Sequence, residues 1–123
     1  MLVLPIKKKW YDMILSGEKR EEYRAYSPYW IKRFCNLGIL QHIRGDVYKA
    51  KRYTHKIVKF RNGYSSYSPS FTAEIRLGIG CGKPEWGAKT GEKYLILTIV
   101  KVIDDDTTGA VSINQNELAR QRG

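Results

Sequence analysis

Three ionisable side chains, Lys19, Glu22 and Arg24, lie within six residues near the amino end of the chain. An amine, a carboxylate and a guanidinium at this spacing can bind a polar ligand or assist a proton transfer. To act as a general base or nucleophile near pH 7, Lys19 would need a pKa lowered by burial, at a cost of about 4 kcal/mol. Arg24 would help to lower this pKa, whereas Glu22 would raise it. The expected state is a protonated Lys19 paired with Glu22, a phosphate or a carbonyl group, which favours binding over catalysis.

The segment around these residues, from Gly17 to Arg24, is predicted as a strand although both of its faces carry charge. With a side-chain period of two, Lys19 shares one face with Glu21, and Glu22 shares the other with Arg24. Because a buried strand rarely tolerates charge on both faces, one row is expected to line a wet cleft or to lie at a sheet edge. Lys19 can meet Glu22 only from the preceding turn or through a bulge. A salt-bridge network that only stabilises the strand is the alternative.

The net charge of +10 lies entirely in the first half of the chain. Residues 1–61 hold 15 Lys and Arg against 5 Asp and Glu, whereas residues 62–123 hold 7 of each class. This asymmetry predicts an anionic partner, and RNA or a nucleotide is favoured over an acidic membrane surface. Aromatic residues that could stack on bases alternate with the basic residues, which supports this preference. The excess positive charge has two other interpretations: it could serve solubility alone, or it could bind an acidic protein partner. The candidate nucleic-acid-binding residues are Lys7, Lys8, Lys19, Glu22, Arg24, Tyr64, Glu85 and Trp86.

Length and composition indicate one globular domain, since the 123 residues are 42% hydrophobic and 28% charged. The most hydrophobic stretch, Tyr94 to Val100, is too short to span a bilayer, and the amino end does not resemble a secretory signal. We therefore expect a cytoplasmic protein without a membrane partner, monomeric by default. Cys35 and Cys81 match no metal-ligand spacing, so we expect reduced cysteines, no metal and no cofactor.

The pattern of hydrophobic residues predicts a series of strands with short helices between the early ones. The residues around Pro5 are expected at a sheet edge or a strand end, because proline cannot donate a ladder hydrogen bond. The most hydrophobic strand is expected at the centre of the sheet, and residues 36–55 show no clear pattern. The predicted elements besides the charged strand are strands at Leu2–Ile6, His55–Arg61, Phe71–Gly80 and Lys93–Ile103, and helices at Lys7–Ser16 and Pro28–Phe34.

These elements predict an α+β fold, a small open β-barrel of about five to six mostly antiparallel strands with two or three short helices. Residues 1–106 are expected to form this domain. Residues 107–123 are expected to form a polar C-terminal tail.

Gly17, Lys19, Glu22 and Arg24 form a G-x-K-x-x-E-x-R pattern that resembles the ASCH domain family, a group within the PUA-like superfamily. The pattern follows an amino-terminal strand and helix, as it does in that family, and the segment from Gly82 to Ala88 is similar to the closing section of many such domains. The resemblance covers about residues 2–103. It implies a PUA-like barrel with a cleft in which Lys19, Glu22 and Arg24 face the ligand.

The resemblance implies an RNA-binding or modified-nucleotide-binding domain as the leading function. The alternative is a small metal-independent hydrolase that acts on RNA or a modified nucleoside, with Lys19 and Glu22 as catalytic residues. It would be of the ribonuclease or the N4-acetylcytidine amidohydrolase type. The amidohydrolase branch of the family uses a lysine, a threonine and a glutamate; Lys19 matches that lysine, whereas Glu22 stands at the position of the threonine.

Overall fold

A computed structural model of the chain describes residues 1–105. Within them the chain forms seven strands, two α-helices and one turn of 3₁₀ helix at Pro84–Trp86. No helix in this part of the chain is both long and apolar enough to cross a bilayer. The predicted tail, residues 107–123, lies outside the described residues. The other elements are β1 (Val3–Ile6), α1 (Lys8–Leu15), β2 (Glu21–Ala25), α2 (Pro28–Leu37), β3 (Leu40–Arg44), β4 (Val47–Ala50), β5 (His55–Asn62), β6 (Ser70–Cys81) and β7 (Lys93–Asp105).

Five strands form one curled sheet in the order β1-β5-β6-β7-β2, and β3 and β4 form a separate two-stranded ribbon. Neighbouring strands are antiparallel except β1 and β5, which run parallel. The α+β class and the mostly antiparallel open sheet are therefore confirmed. Residues 1–105 contain seven strands rather than the expected five to six, because the unassigned residues 36–55 include the ribbon. Every residue from Gln41 to Val47 is exposed, so the ribbon lacks the hydrophobic alternation that marks a half-buried strand.

The position predicted for the most hydrophobic strand is wrong. The centre of the five-stranded sheet is β6, and β7 lies between β6 and the edge strand β2. The hydrophobic run of β7 overstates its burial, since Val100 and Ile103 are 38% and 47% exposed on its outer face. The edge position expected for Pro5 is confirmed, because β1 lies at the other end of the sheet.

One hydrophobic core joins the sheet to both helices. Tyr11 and Ile14 of α1 and Phe34 of α2 are buried in the same cluster as Phe60 and Phe71 of the sheet. The rings of Tyr11 and Phe71 lie 5.0 Å apart between centroids, a distance typical of attractive aromatic pairs. This packing holds α1 and α2 against the curled sheet and so fixes where both helices begin.

The start of α2 is the one predicted, with Ser27 in an extended conformation before it and Pro28 in its first turn. The helix runs to Leu37, three residues beyond the predicted end, and Gly38 follows in the left-handed conformation with a φ of 88°. The start of the helix matters for the site, because the first turns of α2 carry Trp30 and Arg33.

Candidate functional site

Lys19 lies in the turn between α1 and β2, outside the hydrogen-bond ladder of the sheet. Its backbone N–H donates to the carbonyl oxygen of Met13 at 2.9 Å, and β2 begins two residues later at Glu21. The backbone carbonyl of Arg20 accepts a hydrogen bond from Ile99 at 2.9 Å, which ties the turn to β7. This position lets Lys19 meet Glu22, and of the two predicted possibilities, the preceding turn or a bulge, it is the turn.

The Lys19 ammonium group is enclosed on several sides. Its Nζ donates to the carbonyl oxygen of Trp86 at 2.6 Å and lies 3.3 Å from Glu22 Oε1. The same nitrogen lies 4.7 Å from the centroid of the Trp10 ring and 4.9 Å from that of Tyr23, within the range of cation–π attraction. The residue is only 1% exposed. Lys19 is therefore a buried, fully surrounded cation.

Two glycines allow the rings around Lys19 to take their places. A Cβ atom at Gly82 would lie 2.6 Å from the Tyr23 ring, and one at Gly87 would lie 3.0 Å from the Trp10 ring. Gly87 also has a φ of 103°, which side-chain-bearing residues rarely adopt. The glycine-rich segment after β6 thus provides close packing around Lys19 and gives the site no phosphate-binding loop.

Burial lowers the pKa of Lys19 below its ordinary value, because the ammonium form loses its hydration. The Glu22 carboxylate acts in the opposite direction and offsets part of this effect. A lowered lysine pKa is common at catalytic sites, but it also occurs in structural ion-pair networks.

Glu22 and Arg24 lie on the core-facing side of the edge strand β2. In the antiparallel register Glu22 pairs with Leu97 and Arg24 with Leu95, and both leucines are 0% exposed. Residues directly opposite each other share a face, so the two charged side chains project toward the interior of the curled sheet. There Arg24 Nη1 donates to Glu22 Oε2 at 2.6 Å. Of the two predicted alternatives, a wet cleft or a sheet edge, the edge is confirmed, since β2 is the last strand in the sheet order. The Glu22–Arg24 row of this strand faces inward.

Arg24 also connects the two ends of the sheet. The strands β1 and β2 are the opposite edges of the sheet order, yet Arg24 Nη2 donates to the carbonyl oxygen of Pro5 at 2.9 Å. The carbonyls of Leu2 and Ile6 accept hydrogen bonds on the β5 side of β1, so the Pro5 carbonyl points to the unpaired side. Because proline has no N–H, this edge offers an acceptor without a donor, and the donor-only guanidinium matches it. We call the gap between these two edges the seam.

The Glu22–Arg24 pair retains hydrogen-bonding capacity. Three of the five N–H donors of Arg24 go to Glu22 and to the carbonyls of Tyr23 and Pro5. Its Nε–H is buried and has no partner within residues 1–105. Each oxygen of Glu22 faces one cation and can accept a further hydrogen bond. The pair can therefore offer both a donor and an acceptor to a ligand.

A cavity of about 410 Å³, the first cavity, opens at the seam beside this pair. Its side chains combine both charges with aromatic rings, and they include Lys7, Lys8, Trp10, Glu22, Arg24 and Tyr64. A second cavity of about 520 Å³ shares Pro5, Arg24 and Tyr64 with the first and extends along the seam to α2. The two cavities adjoin at these three residues, and we call them together the groove.

The predicted site residues separate into three groups in the structure. Lys7, Lys8, Glu22, Arg24 and Tyr64 line the first cavity. Lys19 lies behind Glu22 and lines neither cavity of the groove.

Glu85 and Trp86 also line neither cavity, contrary to their expected place in the cleft. The carbonyl of Trp86 binds Lys19, and Glu85 is exposed in the same 3₁₀ turn. This turn packs behind the Lys19 ammonium and not beside the groove.

Several groove residues were not predicted. Trp10, Asn62 and Gly63 line the first cavity, and Arg33 lines the second. Asn-Gly is a turn signal and marked the loop after β5. Nothing in the pattern indicated that this loop would lie beside the start of α1, because only the parallel pairing of β1 with β5, which places Ile6 opposite Asn62, brings them together.

Other ionisable groups lie apart from the groove. Nδ1 of His55 and a carboxylate oxygen of Glu74 are 2.5 Å apart in a partly exposed pair on β5 and β6. Cys35 and Cys81 are not bonded to each other. Within residues 1–105 no group of three or more His, Cys, Asp or Glu side chains could hold a metal ion.

Comparisons of the chain with family models, with curated proteins and with solved structures found no match. The resemblance to ASCH domains accordingly rests on the sequence pattern.

Proposed function

We propose that this protein is a PUA-like domain of the ASCH type that binds RNA, or a single modified nucleotide, with one base in the first cavity. The observation that carries the proposal is the inward-facing Glu22–Arg24 pair, which lines the cavity and retains a donor and an acceptor. A buried pair with no function beyond stability would be expected to use its hydrogen-bonding capacity internally.

The first cavity has the size and chemistry of a base-binding site. Its volume of about 410 Å³ lies within the range of small-ligand pockets. Glu22 can accept from an exocyclic amino group, as carboxylates do with cytosine, and Arg24 can donate to a neighbouring acceptor of the same base. Lys19 and the Pro5 carbonyl hold the two side chains in place before the ligand arrives, so recognition requires little reordering. Trp10 and Tyr64 provide rings for stacking.

The rim of the first cavity suits a phosphate group. Lys7 and Lys8 are exposed there, at the start of α1. Lys7 makes no side-chain capping bond and the first turn of α1 holds no acidic residue, so the positive end of the helix dipole adds to the lysine charges. Lys8 also pairs with Asp12 at 2.6 Å, but this pair is exposed and weak enough to yield to a phosphate.

The test is a titration with single-stranded RNA oligonucleotides at low salt, using the wild type, Arg24→Gln and the matched control Arg76→Gln. Arg76 is exposed on β6, outside the groove. Loss of a base contact should weaken binding about 5- to 150-fold for Arg24→Gln and leave the control unchanged. Thermal unfolding checks that the variants are folded. Absence of binding to any RNA by the wild type would refute the proposal.

The lowered pKa of Lys19 favours a second candidate, hydrolysis of RNA or of an acetylated cytidine. Because Lys19 lines neither cavity of the groove, it would act through Glu22 and not by direct contact with the substrate. Turnover of N4-acetylcytidine and of RNA should be measured with the wild type and with Lys19→Ala. No turnover by the wild type excludes this candidate, and equal rates exclude a role for Lys19.

A further inference from the structure

The second cavity differs in chemistry from the first although the two share Pro5, Arg24 and Tyr64. It has a volume of about 520 Å³ and is walled by β1, α2 and Tyr64. The first cavity contains the carboxylate of Glu22, whereas no acidic side chain lines the second. A base in the second cavity would therefore meet rings and cations but no carboxylate that could accept from its edge.

The start of α2 supplies a stacking surface to this cavity. The guanidinium of Arg33 lies 3.5 Å from the centroid of the Tyr29 ring, and Tyr29 is 55% exposed. Trp30 supports this pair, since its ring contacts Tyr29, stacks on Phe34 and lies 5.1 Å from the Arg24 guanidinium. Bases stack on the planes of aromatic and guanidinium groups alike. The accessible stacking groups are thus the Tyr29–Arg33 pair and the exposed Tyr64.

Arg33 also has charge available for a ligand. Its only hydrogen bond within residues 1–105 is from Nη1 to the carbonyl of Tyr29 at 3.3 Å, and it forms no ion pair there. A guanidinium without a carboxylate partner, stacked on an exposed ring, can bind a phosphate while it stacks on a base.

We propose that the second cavity is a stacking subsite for the neighbouring nucleotide of the same strand. The ligand is then an oligonucleotide of at least two consecutive nucleotides, with one base read by Glu22 and Arg24 and the next stacked at Tyr29 and Arg33. This inference rests on the proposed function. Tyr64 lines both cavities and can contact either base.

The experiment compares the affinities of nucleoside 5′-monophosphates with those of dinucleotides and short RNA strands. For the wild type, the dinucleotide should bind at least about fivefold more tightly than the better of its two mononucleotides, as one extra stacked base implies. Arg33→Gln and Tyr29→Ala should remove most of this gain and leave mononucleotide affinity unchanged. Lys32→Gln is the matched control, because Lys32 is exposed on the same helix and lines neither cavity.

Equal affinities for mononucleotides and dinucleotides would overturn the second subsite and leave the proposed function standing. An unchanged dinucleotide affinity in both Arg33→Gln and Tyr29→Ala would also overturn it. A gain seen with short RNA strands but not with dinucleotides would place the extra contacts elsewhere and count against it. Binding of no nucleotide or RNA at all would instead remove the proposed function itself.

Discussion

The seam and the β3–β4 ribbon both carry several charges, but they hold them in opposite ways. Lys19, behind the seam, is 1% exposed and Glu22, at the seam, is 5% exposed, and each contacts an oppositely charged or polar partner. In the ribbon and the residues after it, Lys49, Lys51 and Arg52 are exposed, and none forms an ion pair within residues 1–105. The buried charges at the seam are therefore held by their partners, whereas the exposed charges of the ribbon are screened by salt.

This difference distinguishes specific recognition of a base from non-specific attraction of a polyanion. Fixed donors and acceptors can distinguish one base from another, because the wrong base leaves them unpaired in a site that excludes water. Exposed lysines and arginines attract any polyanion and lose their effect as salt rises. A cavity of about 450 Å³ beside Lys49 and Tyr53 does not change this assignment, since its charged lining residues are all exposed. We expect substitutions in the seam and in the ribbon to differ in size and in kind.

The largest effect is expected for Glu22→Ala. Removal of this carboxylate leaves the buried Lys19 and Arg24 without their shared partner, so the free energy of unfolding should fall by about 3 kcal/mol. Urea unfolding at neutral pH measures this loss. The control is Glu85→Ala, which removes an exposed carboxylate and should change stability by less than about 0.5 kcal/mol. Similar values for the two variants would mean that the seam charges are not coupled as described.

The double variant Lys7→Gln/Lys8→Gln should have the next largest effect, on RNA binding. If the wild type contacts about five phosphates, the logarithm of its affinity should fall against log salt with a slope near −3.5, and the double variant should reduce this slope by about 1.4. Fluorescence anisotropy over a series of salt concentrations measures both slopes. The matched ribbon variant is Lys49→Gln/Lys51→Gln; a larger change of slope in this control would place the phosphate contacts at the ribbon.

Lys19 should make the free energy of unfolding depend on pH in the alkaline range. The pKa of Lys19 is lower in the folded state than in the unfolded state. At a pH between these two pKa values, Lys19 is protonated in the unfolded chain and neutral in the folded one. The free energy of unfolding therefore rises with pH over this interval and levels off once Lys19 of the unfolded chain also loses its proton. Lys19→Met should remove this rise. Tyr23 acts in the opposite sense, because its raised pKa makes stability fall once unfolded tyrosine ionises, near pH 10.

The test is urea unfolding of the wild type and of Lys19→Met at several pH values from about 7 to about 9.5. The range ends there because unfolded tyrosine begins to ionise at higher pH. Parallel curves for the two proteins would show that Lys19 does not carry the linkage. Lys89→Met, on an exposed lysine, is the control and should follow the wild type.

The smallest effect is expected for the ribbon variant Lys49→Gln/Lys51→Gln/Arg52→Gln. Affinity for RNA strands should fall a few-fold at low salt, about equally for all sequences, and the difference should disappear at high salt. The free energy of unfolding should change by less than about 0.5 kcal/mol. A sequence-dependent loss of RNA affinity as large as that of Arg24→Gln would show that the ribbon recognises bases, in contradiction to the expected difference between the seam and the ribbon.

Local elements with strong signals were predictable from the sequence. The α2 helix follows a Ser-Pro start, and the β5–β6 hairpin has Asn62–Gly63 at the beginning of its loop, as expected. The ribbon was not predictable, since its residues from Gln41 to Val47 are exposed on both faces and show no alternation. The place of β7 in the sheet was also missed, because the hydrophobicity of a strand does not determine its place in the strand order.

The sequence by itself determined that charged residues cluster around β2 and that Glu22 and Arg24 share one face, because strand periodicity acts over neighbouring residues. It also determined that Lys19 had to lie in the preceding turn or in a bulge in order to meet Glu22. Only the tertiary structure decided that Arg24 would reach Pro5, that the 3₁₀ turn at Trp86 would enclose Lys19, and that Asn62 and Tyr64 would line the same cavity as Lys8 and Trp10. These contacts join residues far apart in the chain. The first depends on the curl of the sheet and the last on the pairing of β1 with β5, and no local pattern encodes either.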